Sequence, residues 1–161
     1  MTRFEYLPDL PAGATLEALL DLLALVFDDQ DRAAWLAELR YQQARGPVQL
    51  WLAWAEGQVV GCKLGYERKP GHYYSWLGAV RPERRGQGLA SALMEQQHQW
   101  CRRQGYRRLR TQTYNRWRSM LILNLRHGFE VVGTCQGAHG LMIVLEKELL
   151  PVGEADERPG R

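Results

Sequence analysis

The chain has 161 residues, 45% of them hydrophobic and 24% charged, with 21 Lys+Arg against 18 Asp+Glu and a net charge of +3. This composition fits one globular domain with a substantial core over residues 1–150, followed by a polar tail over 151–161 that is expected to be disordered. The charge is too mild to demand nucleic acid, no apolar run approaches the roughly 18 residues of a membrane span, and Cys62, Cys101 and Cys135 fit neither a disulfide framework nor a CxxC metal site.

In chain order, "MTRFEYLPDL" lacks an apolar signal core, which argues against export. The three cysteines then read as small core hydrophobes in a reducing cytoplasm. "RFEYLPDL" reads as a short strand ended by its prolines. Thr15 caps a predicted helix from Leu16 to about Phe27, with an apolar stripe of leucines. A second predicted helix starts after Asp31 and stops at Gly46-Pro47. "VQLWLAWAEGQVVGCKLGYERK" is two apolar runs joined by Glu56-Gly57, a hairpin signal. Trp51 and Trp54 point to opposite faces of it, so at most one of them is expected to face a core. "HYYSWLGAV" is a further strand, and a helix runs from about Gly88 to Gln104. "RRLRTQTY" is a strand, "WRSMLILNLRH" a helix ended by Gly128, and "FEVVGT" and "LMIVLEKEL" are the last strands.

The order β-α-α-β-β-β-α-β-α-β-β predicts a mixed, mostly antiparallel α/β sheet with helices on both faces. One parallel strand pair flanks the third helix.

Between strand and helix stands "AVRPERRGQGLASALM", Ala79 to Met94. Glycine lets the backbone turn sharply and approach a ligand closely. The first amides of the helix have no internal partner and sit at the positive end of its dipole, which suits a phosphate. Arg84 and Arg85 add forked donors, and Ser91 a hydroxyl. There is no Gly-Lys-Ser/Thr for a Walker loop. A dinucleotide fingerprint would want GxGxxG/A, where this chain has Gly86, Gly88 and Ser91, and then an acid some 20 residues on, where it has only Arg107 to Arg110. From spacing alone, a phosphate site and a plain glycine turn with solvated arginines stay equally open.

The wider context resembles the GNAT superfamily of N-acetyltransferases. "AVRPERRGQGLASALM" is similar to the family's acyl-CoA-binding motif, with Arg85, Gly88 and Ala90 at its defining positions after Val80 and Pro82. "NRWRSMLILNLRHGFEVVG" resembles its second motif, with Asn115, Gly128 and Phe129 as counterparts. "YSWLG" and "MLILN" resemble a bacterial subgroup. The resemblance spans Arg3 to about Leu149 and implies a seven-stranded sheet whose parallel pair is splayed. It also implies acetyl-CoA as cosubstrate and no metal. The pyrophosphate would lie on the backbone of Arg85, Gly86, Gln87, Gly88, Leu89, Ala90 and Ser91. The pantetheine would run beside Ala79 and Val80, with the Val80 amide as oxyanion donor and Asn115 near the pantetheine. Where many members place a tyrosine acid, this chain has Asn124. An amide can hydrogen-bond the sulfur but cannot donate a proton at neutral pH.

An amine acceptor must lose a proton before attack. Glu67 is the first candidate base, although a solvated turn residue paired with Arg68 or Lys69 is the more ordinary reading of it. His72 titrates in the right range but adjoins a loop tip, and ordered water needs neither residue. Tyr74 and Trp76 alternate onto one face, as an acceptor wall or as ordinary core. Trp35 reads as core. The arginines of "RRQGYRRLR" read as a solvated helix end, with a second option of reaching the 3′-phosphate of coenzyme A.

The expected activity is direct transfer of acetyl from acetyl-CoA to a primary amine on a small molecule, peptide or protein, in the cytoplasm, with no membrane or nucleic-acid partner. A homodimer through the last strands is compatible with the resemblance. The rival readings are a non-catalytic CoA-binding regulatory module and a basic interaction protein that owns a glycine turn.

Overall fold

A computed structural model describes residues 1–151; the tail expected beyond Leu150 thus lies outside the described residues except for Pro151. The elements are β1 (Arg3–Leu7), α1 (Gly13–Val26), α2 (Arg32–Arg45), β2 (Val48–Ala55), β3 (Gln58–Lys69), β4 (His72–Val80), a 3-10 turn (Pro82–Arg84), α3 (Leu89–Arg103), β5 (Arg108–Tyr114), α4 (Arg118–Arg126), β6 (Glu130–Gly137) and β7 (Gly140–Glu148). The strands form one mixed sheet in the order β1-β2-β3-β4-β5-β7-β6. The chain falls into two compact units: Met1–Glu67 with Trp76–Gln97, and Arg68–Ser75 with the chain from His98 onward.

In the first unit, α1 starts earlier than Thr15 predicts. Ala12 is extended and offers no capping oxygen, and Gly13, at φ 65°, turns the chain into the helix, so Thr15 lies within the first turn. α2 begins where expected, because the Asp31 carboxylate accepts from the Ala34 amide at 2.8 Å. The β2–β3 hairpin closes through Glu56 (φ 51°) and Gly57 (φ 74°), two successive left-handed residues, as the two-residue turn that matches strand twist requires. Leucines of α1, Trp35 and Leu39 of α2, and Leu50, Leu52, Cys62, Leu64 and Ala79 of the strands make one core cluster.

The other face of these strands is covered too. Trp54 packs on the core cluster, while Trp51 is 2% exposed and meets the Tyr6 ring at 5.3 Å. Both tryptophans are therefore engaged, against the expectation of at most one. On Trp51's face α3 lies over β3: a Cβ at Gly61 would meet Leu93 Cδ1 at 3.1 Å. In β4, Trp76 and Leu77 are consecutive yet both pack on the core cluster. Side-chain alternation therefore breaks between them, as at a bulge.

In the second unit, β4 and β5 pair in parallel through His72–Arg108, Tyr73–Leu109 and Tyr74–Arg110. At the next step the Thr111 hydroxyl donates to the Ser75 carbonyl at 2.9 Å. Tyr73 is fully buried against Trp100 and Tyr106. The β5 arginines do not stand free, because Arg108 and Arg110 both pair with Glu146 of β7. Burial opposes ionisation of that carboxyl, but hydrogen bonds from Arg110 and Arg108 outweigh it and hold its pKa below the ordinary range. β6 and β7 pair in antiparallel fashion with one irregularity: Val131 faces Leu145 and Gly133 faces Val144, leaving Val132 as an extra residue. Cys62 and Cys101 are buried as expected, whereas Cys135 on β6 is half-exposed and so is not a core residue.

Candidate active site

The end of β4 sets the geometry of the glycine loop. The Arg81 amide donates to the Val60 carbonyl at 2.8 Å, so it faces β3. Strand amides alternate between edges, which turns the amides of Val80 and Gly78 to the opposite edge of β4. Arg85 does not reach outward: its Nε donates back to the Val80 carbonyl at 3.2 Å and ties the loop to the strand end. The 3-10 turn is closed by the Arg84 amide on Arg81 O and the Arg85 amide on Pro82 O. Gly86 (φ 76°) and Gly88 (φ 78°) then both take left-handed conformations that L side chains adopt only at a cost.

α3 follows at once. Its first intrahelical bond onto the loop runs from the Ala92 amide to Gly88 O at 3.0 Å, so the amides of Leu89 and Ala90 lie ahead of the helical ladder. Nothing lies within 4 Å of where a Cβ would stand at Gly86 or Gly88. The loop is thus an open cradle of amides at the positive end of a 15-residue helix. Gln87 is exposed, Leu89 is buried and anchors the helix, Ala90 and Ser91 are half-buried, and Arg84 stands 3.8 Å from Glu56. This donor set fits a pyrophosphate.

Along β4, Ala79 is buried in the core cluster and Val80 is half-buried. Glu67 is exposed near the end of β3. Regular pairing with β2 up to Tyr66 puts Glu67 on the α3 face, not the face that carries Tyr66 and the core cluster. Trp76 packs on the core cluster and edge-on to Tyr66 at 5.7 Å. An open hollow of about 610 Å³ at the α1–α2 connection is lined by Asp28, Asp29, Asp31 and Arg32 among others.

The second unit holds the remaining candidates. Tyr74 is half-buried in the parallel ladder. The His72 imidazole is held below its ordinary pKa by burial, with the nearby Lys69 and Arg108 charges acting the same way. Asn115 is exposed in the turn after β5. Asn124 is 1% exposed; its backbone carbonyl accepts from the His127 and Phe129 amides, and its side-chain Oδ1 is buried without a hydrogen-bond partner. Gly128, at φ 88°, ends α4 where expected.

Sequence reasoning missed one residue. Lys63, in the middle of β3, is only 5% exposed, and burial lowers its ammonium pKa from 10.5 to about 8. The signal was available: "VVGCKLGY" is a nearly continuous apolar run, the mark of a strand covered on both faces, where a lysine has no outward side. Among the described residues, no group of three or more His, Cys, Asp or Glu is placed to hold a metal ion.

Comparison with known proteins agrees with this fold. Residues 16–137 match the family model described as "Acetyltransferase (GNAT) family". No curated protein matches in sequence. Among solved structures, IAA acetyltransferase from Bacillus cereus ATCC 14579 is 22% identical over 92% of this chain and 100% of its own, with a TM-score of 0.73. A GNAT family acetyltransferase from Elizabethkingia anophelis, with acetyl-CoA bound, is 19% identical over 92% and 98%, at 0.71. The ribosomal-protein-S18-alanine N-acetyltransferase from Escherichia coli is 15% identical over 98% and 100%, at 0.75.

Proposed function

Because the chain belongs to the GNAT family of acetyltransferases, we propose that it transfers an acetyl group directly from acetyl-CoA to a primary amine, on a small molecule or on a peptide or protein. The observation that carries this reading is the loop from Arg85 to Ala90: two left-handed glycines with open space above them and two helix-start amides ahead of the helical ladder. These donors would take the pyrophosphate of the coenzyme. The β4 edge that presents the Gly78 and Val80 amides would take the pantetheine and polarise the thioester carbonyl. Attack by the neutral amine forms the C–N bond, and the C–S bond then breaks to release the thiol. Positioning and backbone hydrogen bonds supply most of the rate enhancement, with no covalent enzyme intermediate.

Glu67 keeps its place as candidate base only through water, because it is exposed on the α3 face. Asn115 and Asn124 are proposed coenzyme contacts. Tyr74 is the better candidate for an acceptor contact, since Trp76 serves the core. The acidic lining of the α1–α2 hollow favours a cationic acceptor approaching that end of the first unit.

The test has two parts. Saturating acetyl-CoA should raise the melting temperature, and thiol release should follow with at least one amine from a panel of polyamines, amino acids, aminoglycosides and peptides. No thermal shift would defeat every coenzyme A reading. A shift without turnover on any amine would favour a non-catalytic CoA-binding module, the reading that Asn124 at the expected acid position supports.

A further inference from the structure

We propose that Lys63 is a catalytic residue whose ammonium, laid across Gly78, protonates the sulfur of coenzyme A as the thioester breaks. The proposal rests on the transferase reading and supplies the acid that Asn124 cannot be.

The placement follows from strand register. The bond from Arg81 to Val60 sets those two residues opposite each other, which puts Gly78 opposite Lys63. Lys63 shares the α3 face with Gly61, two residues earlier, and with its cross-strand partner Trp51. On its β4 side it meets the one residue type without a side chain. Neighbouring strands lie about 4.8 Å apart, and a lysine carries its nitrogen four methylenes from Cα. The stem can therefore lie over Gly78 and present its ammonium at the far edge of β4, where the Gly78 and Val80 amides point.

Lys63 is only 5% exposed, in a strand covered on both faces, so its stem is held between β2, β4 and α3. Trp51 of β2 is its cross-strand partner, Leu93 of α3 lies on the same face over Gly61, and the charged group at the far edge of β4 is Arg85, held on the Val80 carbonyl. The titratable neighbour of Lys63, Cys62, is neutral, because burial pushes that thiol up to about 12. With its own pKa lowered to about 8, Lys63 is mostly protonated at neutral pH yet close to a thiol, at about 8.5, in proton affinity, which is the match an acid for this leaving group needs.

The step balances. The acceptor nitrogen bonds to the carbonyl carbon, the C–S electron pair goes to sulfur, and sulfur takes the Lys63 proton. Neutral Lys63 then recovers the proton that the acceptor nitrogen sheds, through water.

The test needs no knowledge of the acceptor. Affinities of CoA and of desulfo-CoA are measured by calorimetry near pH 8 for wild type, Lys63→Met and Gly78→Ala. Wild type should prefer CoA over desulfo-CoA by about tenfold or more, a thiolate–ammonium preference. Both variants should lose that preference while still binding desulfo-CoA. Gly78→Ala guards against a packing artefact, since Gly78 is not among the left-handed glycines and alanine suits its backbone. An unchanged preference in both variants, or an acetyl group on Lys63 after incubation with acetyl-CoA, overturns the acid role alone. Failure of wild type to bind either coenzyme overturns the transferase reading with it.

Discussion

Replacing Lys63 by methionine should make the protein more stable. Folding buries this lysine at the expense of its charged form, and the fall in pKa from 10.5 to about 8 measures the cost. At about 1.4 kcal/mol per tenfold change in proton affinity, the charged form is disfavoured by about 3 kcal/mol. The sign follows from linkage. The folded lysine holds its proton less tightly than the unfolded one, so the penalty is complete below about pH 8. It shrinks as pH rises and is gone above about 10.5, where both states are neutral. Methionine has similar length and no charge, so Lys63→Met should gain up to about 3 kcal/mol at pH 7, roughly 6–12 °C in melting temperature for a chain of this size. Urea unfolding followed by circular dichroism, from neutral pH to about pH 10, reads this directly. Equal or lower stability of the variant at pH 7, with no convergence as pH rises, would refute the reasoning.

Three further outcomes are expected. Gly88→Glu places a side chain and a negative charge in a left-handed cradle at a helix N-terminus; it should abolish the acetyl-CoA thermal shift at a stability cost of about 1–2 kcal/mol, and an unchanged shift would sink the phosphate assignment. Asn124→Leu removes a buried acceptor that has no hydrogen-bond partner, so denaturant unfolding should show a gain of about 1 kcal/mol or more, and a loss would mean that Oδ1 is satisfied in solution. Glu146→Gln should cost about 1 kcal/mol at pH 7 by weakening the Arg108 and Arg110 pairs. The Glu146 carboxyl titrates below its ordinary 4.5, so its contribution is present above that value and lost as pH falls below it; a difference from wild type that persists in strong acid would count against it.

Much of the fold was legible because local chemistry is decisive at particular places. Asp31 caps α2, Glu56-Gly57 closes the hairpin and Gly128 stops α4, each through a backbone requirement that few residues satisfy. The α1 start was missed because Gly13, not a side-chain cap, turns the chain there. The glycine loop was legible as a sharp turn into α3, but not the inward turn of Arg85, since its bond to Val80 O depends on where β4 ends. Lys63 was read past because alternation assumes one wet face, and β3 has none at that point. Trp76 and Leu77 break the alternation in β4, a change of one residue that no composition signal marks.

The extra residue at Val132 has a consequence for life in a crowded solution. β6 is the sheet's outer strand on its side, and it carries exposed Val131 and Val132 with Glu130 as its only charge. A flat strand of that composition would be an open template for the edge of any passing chain. By adding one residue against β7, Val132 kinks and twists the rim so that a straight intruder cannot stay in step with it. The irregularity thus acts as a guard against aggregation, built from spacing where other proteins use charge.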